Sequence, residues 1–262
     1  MKPDVPPARC LILRLAAPLQ SWGGQSQFNR RDTLTEPTKS GIIGLLAAAQ
    51  GLRRQDPIEP LLGLSFGVRT DQPGTILRDY HTIAALDRTP LLSAQVNAKG
   101  VQKRTSPAKQ THVTTRFYLQ DAVFVAAVTG SPQLLNILVA ALRRPAFPLS
   151  LGRRSCPPAH PLLLPEPTTQ PGDTSLWAGT ILDVLARVPW QGRTPRPGRE
   201  PTQLAITVDD PAGDDVRTDV PTSFDPLHRG YTTRQVRHHW VTPPGCAPAT
   251  TRHHDPFTLL GW

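Results

Sequence analysis

The order of short apolar segments in the first part of the chain restricts its fold more than any other feature. Residues 10–17 are an apolar run of strand length, and residues 40–52 are an alanine-rich run without proline, which is typical of a buried helix. Residues 64–70 predict a second strand, and residues 117–129 predict a third strand with a kink or bulge at Asp121. The chain therefore begins with the order strand, helix, strand, strand.

A second helix and a fourth strand complete this series. Ser131 and Pro132 suit the N-cap and the first turn of a helix, and apolar residues then recur at helical spacing until Pro145. Residues 147–151 predict a short fourth strand. The order β-α-β-β-α-β is the ferredoxin-like arrangement, which RNA-recognition folds share. We therefore predict an α+β protein with a ferredoxin-like, RRM-like core within residues 1–155.

Two parts of the chain lie outside this simple order. Residues 71–116 separate the second strand from the third, and compact domains rarely contain a structureless loop of that length. We therefore expect a functional insertion or a separate hairpin there. After the core the pattern weakens, and residues 180–188, 204–208 and 231–241 are compatible with strands or short helices. We predict a small C-terminal subdomain of extended, β-rich segments over residues 156–262.

Positive charge is concentrated in one stretch of the chain. Residues 88–165 contain ten lysines and arginines and a single acid, Asp121, which gives that stretch a net charge of +9. The rest of the chain has 19 cations and 19 acids and is neutral. A surface that only keeps a protein soluble more often mixes both signs, so a nucleic acid is the favoured partner. An acidic protein partner or a solvated surface remains open.

The cysteine and histidine patterns indicate neither a disulfide framework nor a metal site. The three cysteines are far apart and form no C-x-x-C motif. The two pairs of adjacent histidines have side chains that diverge in an extended chain, which is unsuited to a shared metal ion. These residues are Cys10, Cys156, Cys246, His238, His239, His253 and His254. No cofactor and no small-molecule substrate are indicated.

The hydropathy pattern favours a cytoplasmic protein without membrane contact. The first nine residues contain no apolar signal region. No apolar run approaches the length that spans a membrane.

The start of the first helix is a candidate phosphate site. Thr38, Lys39 and Ser40 bring two hydroxyl groups and an amine to the free backbone N–H groups of a helix start. The frame of a Walker motif is absent. An ordinary helix cap is the alternative interpretation.

The polar loop after the first strand contains Gln20 and Trp22. A base stacked on the indole of Trp22 would contribute about 1–3 kcal/mol. Packing of the same indole in the protein core is equally compatible with the sequence.

The insertion is the richest source of candidate RNA contacts. Its cations are separated by small polar residues, a composition that suits contacts along a single-stranded RNA backbone. Leu91, Leu92 and Val101 could insert between bases. The expected contacts are Arg78, His81, Lys99, Lys103, Arg104, Lys109 and Arg116. A charged, disordered loop is the alternative.

Arg153, Arg154 and Ser155 follow a glycine directly after the predicted fourth strand. Two arginines beside a hydroxyl group can clamp a phosphate in a bidentate manner. A pair of solvated surface arginines is the alternative.

The sequence favours a protein without catalytic activity. No Ser/His/Asp frame, carboxylate pair or metal-ligand motif is present. Tyr80, His81 and either Lys99 or Lys103 could cleave RNA without a metal, with histidine as general acid or base. This endoribonuclease hypothesis remains open.

Five segments, in order and with matching spacing, resemble the CasD subunits of Cascade complexes in type I-E CRISPR systems, within the RAMP superfamily. The segments are residues 11–23 (LILRLAAPLQSWG), 37–51 (PTKSGIIGLLAAAQG), 77–82 (LRDYHT), 118–124 (YLQDAVF) and 151–161 (LGRRSCPPAHP). A weaker match covers residues 219–231 and includes Arg229.

This resemblance implies a specific role in antiviral defence. Such subunits have a ferredoxin-like core with a long hairpin thumb, which here corresponds to about residues 79–116. They bind the 5′ handle of the crRNA within a ribonucleoprotein complex, and they join the backbone subunit to the large subunit. Target DNA is then read by base pairing, and so only indirectly by this chain. A separate subunit cleaves the repeat RNA, whereas type I-C relatives of the same fold cleave it themselves, which is the alternative function.

Overall fold

The fold is described from a computed structural model. The description covers residues 8–24, 29–84, 89–167, 175–193, 203–242 and 244. The predicted C-terminal tail beyond residue 244 and most of the proline-rich stretch before residue 203 lie outside these residues.

The described part of the chain contains thirteen strands and four helices. In chain order they are β1 (Arg9–Ala16), β2 (Leu19–Gln20), β3 (Arg30–Arg31), α1 (Lys39–Gln50), α2 (Glu59–Leu62), β4 (Ser65–Gln72), β5 (Thr75–Ala84), β6 (Leu92–Val96), β7 (Gln102–Arg104), β8 (Thr111–Gln120), β9 (Val123–Thr129), α3 (Pro132–Arg143), β10 (Leu176–Ala178), α4 (Ile181–Arg187), β11 (Leu204–Asp209), β12 (Asp215–Ser223) and β13 (Gly230–Val241).

Seven strands form the main sheet, in the order β10-β1-β9-β4-β11-β13-β12, with every neighbouring pair antiparallel. Side chains alternate between the two faces of each strand. In β1, Leu11 and Leu13 pack in the core beneath α1 and α3, whereas Cys10 and Ile12 pack in the core beneath α4. The predicted first and second strands and both predicted helices are confirmed.

The predicted third strand divides at Asp121, where the expected kink is confirmed. Asp121 has a positive φ of 56°, and the chain changes direction there. Residues before it belong to β8, and residues after it belong to β9 in the main sheet. The apolar residues on both sides of Gln120 and Asp121 belong to two sheets, although in the sequence they resemble one kinked strand.

The predicted fourth strand over residues 147–151 is wrong. These residues form an irregular turn, since Pro148 has no amide hydrogen for a ladder and the N–H of Ala146 donates to the carbonyl of Ala49 at 3.0 Å. The place beside β1 is taken by β10, in which Ala178 pairs with Arg9.

The insertion between β4 and β9 is a long hairpin. β5 and β8 pair in antiparallel register over ten residues, from Thr75 with Gln120 to Ala84 with Thr111. β6 and β7 pair near its tip. The expectation of a separate hairpin is therefore confirmed, and the predicted insertion over residues 79–116 lies inside it.

The strands after residue 203 extend the main sheet. β11 pairs with β4, so that Val208 lies opposite Gly67, and β13 and β12 follow outward. Of the ambiguous segments, residues 180–188 form the helix α4, whereas 204–208 and 231–241 form strands. The segment after β11 turns at Asp210 and then enters β12, because the carboxylate of Asp210 accepts the N–H of Ala212.

A buried ion pair ties α4 to the sheet. Arg69 and Asp71 in β4 both have fully buried side chains, with Nε–Oδ1 and Nη2–Oδ2 distances of 2.6 and 2.8 Å. The guanidinium also donates to the carbonyls of Leu185, Val188 and Pro189, at the C-terminal end of α4. Every N–H group of this arginine therefore has a partner, which is the condition under which a buried charge is tolerated.

Candidate nucleic-acid interface

A cluster of four arginines lies at the base of the hairpin. β3 runs parallel to β8, with Arg31 beside Arg116 in register, so both side chains lie on the same face. Tyr118, two residues along β8, is on that face as well, and the guanidinium carbon of Arg153 lies 4.8 Å from the centre of its ring. Arg229, in the connection between β12 and β13, has its guanidinium carbon 5.5 Å from the ring centre of Tyr231, and its charge helps to lower the pKa of Arg31. We call these four arginines the guanidinium cluster.

The electrostatics of the guanidinium cluster favour an anion. Partial burial lowers the pKa of Arg31, and the positive charges of Arg116, Arg153 and Arg229 lower it further. Asp32 forms an ion pair at 3.0 Å with Arg30, which stacks on Phe117 on the opposite face of the hairpin. Asp79 lies opposite Arg116 on the same face, so four guanidinium groups have one carboxylate among them. An anion would relieve the remaining repulsion, and several arginines in one place suit phosphate groups.

Arg153 braces the cluster. Its guanidinium donates to the carbonyl oxygens of Phe117 at 2.9 Å, Arg31 at 2.8 Å and Asp32 at 3.2 Å. Three of its five N–H groups are therefore used on the protein backbone. The predicted bidentate phosphate clamp by Arg153 needs correction: this side chain holds β3 against β8 and contributes charge.

Gly152 lets the chain approach closely enough for this brace. Its φ is +87°, and a Cβ at this position would lie 1.7 Å from the carbonyl oxygen of Ser21. Arg154 and Ser155, which follow Arg153, are exposed, and the Ser155 hydroxyl lies 3.5 Å from that of Tyr118. Ser155 therefore lies at the edge of the guanidinium cluster, next to Tyr118.

The start of α1 is occupied by a carboxylate of the protein itself. Thr38 is the N-cap, and its hydroxyl accepts the N–H of Gly41 at 3.1 Å, while Ser40 shares a hydrogen bond with Thr38 at 3.2 Å. The backbone N–H of Lys39 donates to Asp219 at 2.8 Å. The predicted phosphate site is therefore corrected to the alternative, an ordinary helix cap, because Asp219 already fills the anion position.

The side chain of Lys39 is part of a compensated ion network. Its Nζ lies 2.7 Å from Asp209, and Arg234 bridges Asp209 at 2.5 Å and Asp219 at 2.6 Å. These ion pairs raise the pKa of Arg234 against the opposing effect of burial. Two cations face two carboxylates, so the predicted phosphate contact by Lys39 is replaced by a link between α1 and the strands β11 to β13.

Thr38→Ala is expected to lower the free energy of unfolding by about 1 kcal/mol, because the first turn of α1 loses its cap. Thr38→Ser keeps the hydroxyl but removes a buried methyl group, so it should lose less stability than Thr38→Ala and bind RNA like the unchanged protein. Urea unfolding and RNA titration of both variants check this. A loss of RNA affinity without a loss of stability would restore the phosphate interpretation.

Gln20 and Trp22 are core residues. Both are fully buried; the amide of Gln20 donates to the carbonyls of Leu15 at 3.0 Å and Ala122 at 2.7 Å and accepts the indole N–H of Trp22 at 3.2 Å. The ring of Trp22 packs against Gly41 at the start of α1. The predicted base stacking on Trp22 and RNA contact by Gln20 are corrected, since neither side chain reaches solvent.

The predicted cations of the hairpin are surface residues, and they spread along its length. Arg78 lies on the face opposite the guanidinium cluster, whereas His81 lies on the cluster face, since it pairs with Thr114. The tip carries the exposed cations Lys99, Lys103, Arg104 and Lys109. Leu92 and Val101 are more than half exposed, and Leu91 is partly buried. A polyanion running along the hairpin would meet these charges one after another.

The candidate catalytic residues do not converge. Tyr80 and His81 are neighbours in β5, so their side chains lie on opposite faces, and His81 is 3.6 Å from Asp79. Lys99 and Lys103 belong to the tip. Within the described ranges no three histidine, cysteine or acidic side chains could hold a metal ion together, and no helix is long and apolar enough to cross a membrane.

Sequence reasoning missed Arg31 and Arg229. Arg31 stands beside Arg30 and Asp32, where mixed signs hide it from a search for acid-free stretches. Arg229 was visible only in the weak C-terminal match. Their role depends on β3 pairing with β8 and on the position of the β12–β13 connection, which local patterns do not reveal.

Comparison with known proteins identifies relatives over most of the chain. Residues 10–237 match the family model described as CRISPR-associated protein (Cas_Cas5). The "CRISPR system Cascade subunit CasD" of Escherichia coli (strain K12) is 38% identical over 169 residues, which cover 59% of this chain and 69% of that relative.

Solved structures agree. One described as "CRISPR RNA-guided surveillance complex" contains a chain with a TM-score of 0.71 and 35% identity, covering 97% of this chain and 100% of that chain. Another, described as "Crystal structure of Cas protein", has a TM-score of 0.62 and 30% identity, covering 89% and 95%. By sequence and by structure, the chain belongs to the Cas_Cas5 family of CRISPR-associated proteins.

Proposed function

We propose that this chain is a non-catalytic subunit of a type I-E Cascade complex and binds the 5′ handle of the crRNA at the guanidinium cluster. The observation that carries the proposal is geometric: Arg31 lies in register beside Arg116, and Arg153 donates to the carbonyl of Arg31 at 2.8 Å. Partial burial, together with the charges of Arg116, Arg153 and Arg229, lowers the pKa of Arg31. Phosphate groups of an RNA are the anions that neutralise such a cluster.

The arrangement of the chain supports a structural role in assembly. We infer that β10, β1, β9 and β4, with α1 and α3, form a ferredoxin-like core, because the four strands stand in the order fourth, first, third, second. The core then ends after β10 and not at residue 155. The hairpin of β5 and β8 would be the thumb, which carries further cations outward along the RNA.

Two further parts of the proposed role, in capping the complex and in linking its subunits, are inferred from similar proteins. The Escherichia coli relative is a Cascade subunit, and the similar chain lies in a surveillance complex. We therefore propose that this chain also caps the backbone of such a complex in the cytoplasm, links it to the large subunit, and meets target DNA only through the complex. The divergence of Tyr80 and His81 disfavours the endoribonuclease alternative.

The double variant Arg116→Gln/Arg229→Gln is expected to weaken binding of a handle-bearing RNA by about 10- to 100-fold. Its salt dependence should become shallower, by about 0.7 in log–log slope for each phosphate that the variant no longer neutralises. Fluorescence anisotropy with labelled RNA at several salt concentrations measures both effects.

The matched control is Arg53→Gln/Arg54→Gln, which also removes two exposed positive charges. These arginines follow the C-terminal end of α1, and the length of that helix, about 18 Å, separates them from its N-terminal end. It should bind within about threefold of the unchanged protein, the scale of a small free-energy change. Equal affinity of the unchanged chain for a scrambled RNA would overturn the handle role. Metal-free cleavage of repeat RNA, lost in His81→Ala, would establish the endoribonuclease instead.

A further inference from the structure

The outer edge of β5 is an open strand edge ten residues long. Its inner edge pairs with β8 from Thr75 to Ala84 without a register shift. No segment in the described ranges pairs with the other edge. Because backbone N–H and C=O groups of an antiparallel strand point alternately to each side, about half of those in β5 face outward along this edge.

The side chains of β5 add apolar surface on both faces of that edge. Ile76 and Tyr80 lie on one face and are 55% and 66% exposed, whereas Leu77 and Ile83 lie on the other and are 36% and 41% exposed. The core of the described chain covers neither pair. A strand added at this edge would therefore gain a hydrogen-bond ladder and apolar contacts above and below it.

The contrast with the edge of the main sheet indicates that the open edge is used. Proteins protect exposed edges with proline, lysine or bulges. β12 has such protection, since it contains Pro221 and two register shifts. β5 contains neither proline nor lysine, and its register is regular. Its only charged side chains are those of Arg78 and Asp79, which are opposite in sign. An edge with so little protection, on a protein that protects its other long edge with proline and bulges, fits a surface that is covered in the assembled state.

The charges select the kind of partner. Within the described residues, the hairpin over 75–120 contains six lysines and arginines and one acid, Asp79. A second copy of this chain would bring two such hairpins together, with repulsion between like charges. A nucleic acid has no alternating amide N–H and C=O groups, so it cannot complete the ladder. We propose that the outer edge of β5 binds an extended segment of a different protein subunit by β-strand addition, with apolar side chains of that segment packing beside Tyr80 on one face and Leu77 on the other.

The proposal rests on the proposed assembly into a Cascade complex, and amide hydrogen exchange with residue resolution tests it. In the free chain, alternate amides of β5 are protected by β8 and the outward amides exchange quickly. In the assembled complex the exchange rate of the outward amides should fall by at least about tenfold. Every second amide along β5 should therefore become protected. The amides of β8 should not change.

The outcomes separate the possible occupants. Protection that appears only when RNA is added to the isolated chain would overturn the proposal in favour of RNA. Protection that grows with the concentration of the isolated chain would overturn it in favour of self-pairing. Incorporation into the complex without any slowing of outward amides would overturn the strand addition alone. Failure to enter the complex at all would refute the proposed function instead.

Two neighbouring proline variants provide a matched pair. The amides of Thr82 and Ile83 point to opposite sides, and the exchange of the free chain shows which faces outward. Proline at the outward position leaves the β5–β8 ladder intact and should lower incorporation into the complex by about tenfold. Proline at the inward position damages the hairpin itself and serves as the control. Normal incorporation of the outward variant, with normal protection of the remaining outward amides, would overturn the proposal.

Discussion

Arg69→Leu is expected to lower the free energy of unfolding by about 3–5 kcal/mol, one of the two largest effects predicted for this chain. The substitution leaves the carboxylate of Asp71 buried without its counter-charge. It also leaves the carbonyls of Leu185, Val188 and Pro189 without their donor at the end of α4. A buried group without a partner costs its full desolvation energy. Urea unfolding monitored by circular dichroism measures the loss.

Two controls identify the cause. Arg237→Leu removes a half-exposed arginine that pairs with Asp210 at 2.7 Å, and it should cost under about 1 kcal/mol. Arg69→Leu/Asp71→Leu removes both buried charges and should be less damaging than Arg69→Leu alone. If Arg69→Leu and Arg237→Leu have the same free energy of unfolding, the buried ion pair of Arg69 and Asp71 does not stabilise the contact between β4 and α4.

Gly152→Ala is expected to lower the free energy of unfolding by about 3 kcal/mol or more and to weaken RNA binding. Its left-handed backbone costs about 1–2 kcal/mol for any residue with a Cβ. The new methyl would also lie 1.7 Å from the carbonyl oxygen of Ser21, so the backbone has to move. That movement displaces Arg153, which braces Arg31 against β8. Both urea unfolding and RNA titration should therefore change.

Gly100→Ala separates the clash from the backbone conformation. Gly100 has a φ of +74°, but a Cβ there would meet open space, so only the cost of about 1–2 kcal/mol for the left-handed conformation applies. The difference between the two variants measures the close approach at Ser21. Equal destabilisation by both would show that the contact between Gly152 and Ser21 does not hold the guanidinium cluster together.

Arg153 and Arg154 were predicted to act as a pair, but the structure gives them different environments. Arg153 turns inward and donates to three carbonyls, while Arg154 remains exposed. If the guanidinium cluster binds RNA as proposed, these three hydrogen bonds hold its groups in place beforehand, which reduces the entropic cost of ordering them on binding. Substitution of Arg153 should accordingly affect both stability and RNA affinity, whereas Arg154 should affect affinity alone.

Local sequence patterns were sufficient to predict helices and strands in which buried apolar residues recur at regular spacing. Residues 40–52 formed a helix because the apolar face is continuous and Thr38 caps it, and residues 10–17 formed a central strand because both faces are buried. The same reasoning failed at residues 147–151, where Pro148 cannot donate a backbone hydrogen bond to a strand ladder. It located the kink at Asp121 but could not show that residues 117–120 and 123–129 belong to different sheets, since that depends on distant strands.

Sequence by itself determined the family, the early core elements, the basic hairpin and the concentration of positive charge, because these depend on residues close together in the chain. Tertiary structure alone decided which charges remain available. Lys39 pairs with Asp209, 170 residues away, whereas Arg31 lies in register beside Arg116. Charges act through space and carboxylates cancel them at contact distance, so their availability is set by the packing of distant strands and is not written in any local motif.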